Sequence, residues 1–173
     1  MSKKNLLINK FHIPRWSELP NVDLYLDQVV NLINSTLSPY FFLNNDKKKD
    51  NIQVLTKTMI NNYVKNNLIE APEKKQYAKI QVAKLFVICI LKLVYSMQDI
   101  KTLIHIALEN CDAQKKYDSF CNLFEEALIC TFNQEDFIDT NADNSNLIRY
   151  VLLSCSYKIY VQNVTLGKKE IKN

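Results

Sequence analysis

A single glycine, Gly167, serves a chain of 173 residues, and that scarcity restricts how the backbone can turn. Glycine is the residue that takes positive φ without a Cβ clash. Left-handed positions must therefore often fall to asparagine, in which the sequence is rich. Asn67 stands at such a position, after an amphipathic run and just before Leu68–Ile69, where the residue ending a helix adopts the left-handed conformation. The same scarcity excludes the glycine-rich forms of the P-loop and of the dinucleotide fingerprint.

The remaining pattern is helical. With 47% hydrophobic residues the chain can bury one real core, or a small domain plus a helical extension. Val22, Tyr25, Leu26, Val29, Leu32 and Ile33 share one stripe and predict a first helix, with Asn21 or Asp23 near its N-cap. A second helix opens at Leu55 or Thr56 and ends near Asn67, turning Met59, Ile60, Val64 and Leu68 inward. Residues 79–94 are apolar over more than half the circumference, as in a nearly enclosed helix. Ser96–Met97–Gln98–Asp99 matches a capped start for a fourth helix reaching about Asn110. Phe120, Phe124 and Leu128, then Leu152, Cys155 and Ile159, recur at helical spacing in two further helices. Residues 1–10 read as a frayed basic arm, Trp16 as a core anchor, Ser38–Pro39 as a breaker, 44–51 as a polar loop and 134–145 as a linker.

Several function classes find no support. Five cysteines without a CxxC pair, no signal peptide and no membrane-length apolar run point to a reducing cytoplasm. Cys89, Cys121, Cys130 and Cys155 lie in apolar helical stretches, where a thiol packs as a small hydrophobe. His12 and His105 have neither ligand nor triad spacing to a partner. Asp23 and Asp27, one helical turn apart, read as solvated surface acids. We therefore expect no catalytic residue, no metal, no cofactor and no membrane contact.

The segment that carries chemistry runs from Thr56 to Tyr77. Its helix presents Lys, Thr, Asn and Tyr outward and is followed by Pro72 and the basic pair Lys74–Lys75. Helix, turn, groove-facing helix, basic turn and buried helix, in that order, are the parts of a winged helix-turn-helix. Thr56 and Thr58 offer hydroxyl and backbone N–H contacts at a helix N-terminus, where phosphate is favoured. Lys57 and Lys65 would release counterions, and Asn61 or Asn62 can read adenine through its side-chain amide. Tyr63 either bonds a phosphate or packs against the wing. Lys74 and Lys75 would grip the flanking backbone, with Lys79 adding a contact from the next helix. Double-stranded DNA is the expected partner, although a formal net charge of +4 decides little.

Residues 19–28, 55–65 and 75–77, in that order, resemble the bacterial domain-of-unknown-function family 1836 over about the first two-thirds of the chain. More distantly they are similar to MerR-type winged-helix regulators. That resemblance sets Thr56 at the opening of the recognition helix, Tyr63 at its second tyrosine, and Asn67 at the turn glycine. It sets Leu68, Ile69 and Pro72 at the anchor and residues 96–100 at the start of the fourth helix. It implies a mostly α fold: an arm (1–15), a winged helix-turn-helix (16–110) and a C-terminal two-helix extension (111–173). It also implies that the extension forms a homodimer and receives a small-molecule effector, through Phe120, Phe124, Leu128, Leu152 and Ile159; the same residues fit a place in the monomer's own core. Departures from the MerR pattern fall on contacts: Asn61 replaces the usual arginine, Asn62 the first tyrosine, and Gln76 lies near another arginine position. They leave open an alternative, a protein-interaction or adaptor module on a winged scaffold that has lost DNA binding.

Overall fold

A computed structural model describes residues 3–43, 53–108, 112–137 and 146–164. In chain order the elements are α1 (Lys3–Ile8), β1 (Leu24–Tyr25), α2 (Leu26–Phe41), α3 (Lys57–Lys65), β2 (Gln76–Tyr77), α4 (Lys79–Leu91), α5 (Met97–Leu108), α6 (Ala113–Asn133) and α7 (Asn146–Val164). The described residues are thus mostly helical, with one two-stranded antiparallel sheet that pairs Leu24 with Tyr77 and Tyr25 with Gln76. None of their helices is long and apolar enough to cross a membrane.

Two capping signals act as the sequence predicts, whereas α2 has Tyr25 at its N-cap rather than Asn21 or Asp23. Thr56 Oγ1 accepts from the Met59 N–H at the head of α3. Ser96 and Asp99 satisfy each other reciprocally at the head of α5, with the Ser96 hydroxyl donating to Asp99 Oδ2 at 2.6 Å. Those bonds hold the Asp99 carboxyl below the usual carboxylate range. α4 is enclosed, with Leu85, Phe86, Ile88 and Ile90 fully buried. The described residues with positive φ are Asn67, Lys74, Lys75 and Gln134, none of them glycine.

Three expectations are corrected. The first helix begins at Leu26, because residues 24–25 are drawn into the sheet, and Val22 and Tyr25 are exposed rather than on an inner stripe. Ser38–Pro39 does not break α2, which continues to Phe41. That last turn is held by tertiary contacts: Phe41 is buried against Phe124, while the Asn163 side chain donates to the Phe41 carbonyl and accepts from Leu43 N–H. The N-terminal arm is not frayed, since residues 3–8 are helical and Ile8, Phe11 and Ile13 enter the core. The Phe11 ring meets Phe124 edge-on at 5.9 Å and Tyr40 at 4.7 Å.

Polar contacts fasten that arm to α6. Arg15 forms a two-pronged pair with Glu125, whose Oε1 also accepts from the Ile13 N–H at 2.6 Å. Trp16 N–H donates to Asp118 and the Tyr117 hydroxyl donates to the Pro14 carbonyl. The boundaries drawn after residues 15 and 110 therefore do not separate independent cores: arm, α2, α4, α6 and α7 share one apolar cluster. Phe120, Phe124, Leu128, Leu152 and Ile159, expected either at a dimer contact or in the monomer's own core, are buried within that cluster.

Candidate nucleic-acid interface

α3 is nine residues long, about 13 Å. Two internal clamps position it. Asn34 on α2 accepts through Oδ1 from the N–H groups of Val54 and Leu55 and donates to the Leu55 carbonyl, fixing the chain as it enters the helix. At the other end Asn67 turns left-handed at φ 53° and Leu68 N–H closes on the Tyr63 carbonyl. Ile60 is buried beneath the helix, with Leu68 and Ile69 anchoring the exit.

The outward face carries Lys57, Thr58, Asn61, Asn62 and Lys65, all exposed. At 100° per residue these five positions fall within less than half the helix circumference. Thr56 is half-buried, with its hydroxyl engaged as the cap. Lys57 pairs with Asp27 in the first turn of α2, both side chains being more than half exposed. Asp27 was readable only as a surface acid; its relation to Lys57 depends on how α2 and α3 pack.

Beyond α3 the chain makes a tight hairpin. Gln76 N–H donates to the Glu73 carbonyl at 2.8 Å, and the two residues between them, Lys74 (φ 48°) and Lys75 (φ 65°), are left-handed and exposed. Positive φ at both central positions marks the mirror-image turn that matches strand twist, a site usually taken by Asn-Gly. Two lysines there hold their charges at the tip against a backbone penalty of about 1 kcal/mol each. Gln81, buried in α4, secures the hairpin's base by donating to the carbonyls of Glu70 and Ala71 while accepting from Ala78 N–H. β2 then pairs with β1, so hairpin and α3 flank the same α2 terminus: Gln76 opposite Tyr25, and Lys57 on Asp27 two residues later.

Two expected contact residues are turned elsewhere. Tyr63 is 3% exposed, and burial pushes its hydroxyl pKa well up. Its oxygen has no hydrogen-bond partner among the described residues, so the packing alternative describes it and a phosphate contact does not. Lys79 points back into the protein: its ammonium donates to the Trp16 carbonyl and to Asn21, and lies 5.8 Å from the Trp16 ring centroid. A contact more than 50 residues away in sequence fixed that direction, and nothing local signalled it. Of the predicted cations Lys57 is taken by an ion pair and Lys79 by hydrogen bonds, which leaves Lys65, Lys74 and Lys75 with neither among the described residues.

Cys121 and Cys155 are buried, and burial pushes each thiol up to about 12; Cys89 is raised for the same reason. His12 sits between Glu18 and Glu125. Among the described residues no three His, Cys, Asp or Glu side chains gather as a metal site. An open cleft of about 700 Å³ lies between the end of α6 and α7, lined by Gln134, Phe137, Arg149, Tyr157 and Tyr160 among others.

A family model described as a domain of unknown function (DUF1836) matches residues 14–125. Its limits coincide with the arm's attachment, since Pro14 receives the Tyr117 hydroxyl and Glu125 holds Arg15. No curated protein and no solved structure matches the chain.

Proposed function

Since the chain belongs to the DUF1836 family, whose name leaves function open, we propose that it is a DNA-binding transcriptional regulator of the bacterial cytoplasm. In this reading residues 16–110 form a MerR-like winged helix-turn-helix that binds double-stranded DNA without catalysis. α3 enters the major groove and the Glu73–Gln76 hairpin is the wing. The observation that carries the reading is the pairing of an exposed Lys/Thr/Asn helix face with a hairpin whose two strained tip residues are both lysine, on either side of one helix terminus. Asn61 and Asn62 supply donor–acceptor pairs for adenine, and the free α3 N–H groups suit a phosphate. Lys65, Lys74 and Lys75 supply the electrostatic part.

Binding to a mixed pool of duplexes, titrated with salt, tests it. Three free cations predict a slope of log K against log salt of about −2.7 per copy, flattened by about 0.9 in Lys74→Ala or Lys75→Ala. Absence of binding to any duplex at low salt sinks the proposal. The adaptor alternative draws on the Lys57–Asp27 pair and the inward Lys79, which leave the face poorer in charge than the sequence suggested. It predicts salt-insensitive capture of a protein partner and no duplex binding.

A further inference from the structure

Lys101 and Ile104, three residues apart on α5, lie on one face of that helix. With Lys84 of α4 and the chain leaving α3, from Asn67 to Glu70, they line an open cleft of about 440 Å³, a size that suits a small molecule. No residue of α6 or α7 lines it, so it lies outside the extension where the MerR resemblance sets an effector.

Charge within the cleft is unevenly met. Lys84 and Lys101 outnumber Glu70, and the remaining titratable residue there, His105, adds no negative charge. The Lys84 side chain is only 20% exposed, and its ammonium donates to the Glu70 carboxylate at 2.5 Å. That carboxylate is itself 63% exposed, and Lys84 holds it below the usual carboxylate range. Lys101 is exposed and meets no carboxylate among the described residues. Leu68 and Ile104 supply an apolar wall beside these charges.

We propose that the cleft binds a small organic acid, a carboxylate carried on a short aliphatic chain. Glu70 already shows which head group the cleft accepts, since it seats a carboxylate from an exposed stretch of chain on a half-buried ammonium. A pair so open to water holds weakly and can exchange its acid. An incoming carboxylate that displaces Glu70 keeps the Lys84 charge paired and gains Lys101 as a second cation, while its chain covers Leu68 and Ile104. The ligand then also touches Asn67, the left-handed residue that ends α3. This proposal stands apart from DNA binding, and its test contains no DNA.

Hexanoate is the probe, titrated into the full chain at pH 7 while the amide resonances of residues 67–70 and 101–105 are followed by NMR. Saturable shifts there should give a dissociation constant of about 1 mM, as expected for a ligand of this size. Butanoate should bind about tenfold more weakly, because two fewer methylenes are covered. Hexanol and inorganic phosphate, each lacking one half of the ligand, should not saturate. Lys101→Ala should weaken hexanoate about fivefold, and Glu70→Gln should tighten it about threefold by removing the resident competitor. Both side chains are exposed, so the resonances of the folded protein report that each variant is intact. Absence of saturation by hexanoate at about 20 mM overturns the proposal. Equal binding of hexanol or phosphate, indifference to Lys101→Ala, or weaker binding in Glu70→Gln each does the same.

Discussion

Asp27→Asn gives the sharpest test of the proposed interface because it should improve binding. Asp27 and Lys57 are both more than half exposed, so their pair contributes at most about 1 kcal/mol to folding and its loss leaves the protein folded. Against DNA the effect is larger. In the wild type Lys57 must leave a carboxylate to reach a phosphate, and that carboxylate then remains beside the backbone as an unfavourable charge. The asparagine variant keeps the volume and removes the competitor.

One additional phosphate contact steepens the slope of log K against log salt by about 0.9, from about −2.7 to about −3.6 per copy. At 0.1 M salt that corresponds to about an eightfold gain in affinity, shrinking toward nothing near 1 M. Fluorescence anisotropy with a labelled duplex at several salt concentrations reads both quantities. An unchanged affinity and slope would show that Lys57 does not face the backbone, and the placement of α3 in the groove would fail with it.

Tyr63→Phe should raise stability to urea by about 1 kcal/mol, because it removes a buried hydroxyl that lacks a partner among the described residues, and should leave duplex binding unchanged. Lys74→Asn/Lys75→Gly should stabilise the fold by about 1 kcal/mol by relieving two left-handed lysines, while flattening the salt slope by about 1.8. Loss of stability there would contradict the turn geometry. Glu125→Ala should cost about 3 kcal/mol, since it strands the Arg15 guanidinium and the Ile13 N–H. A double-mutant cycle with Arg15→Ala should give a coupling of about 2 kcal/mol by urea denaturation, and a coupling near zero would detach the arm from α6.

What the sequence discloses is what short range determines. The Ser96–Asp99 box, the Thr56 cap and the left-handed Asn67 each depend on residues within one helical turn, and each occurs where the pattern sets it. The arm escapes such reading because Ile8, Phe11 and Ile13 are too few to show a period, and their partners on α6 are more than 100 residues distant. The two-residue strand β1 has no alternation to detect and exists through its pairing with β2. The hairpin is hidden for a different reason: its tip is Lys-Lys where the turn normally advertises itself by Asn-Gly. At the site the same division holds. Exposure of the α3 face follows from its period, whereas the inward course of Lys79 and the burial of Tyr63 are set by packing.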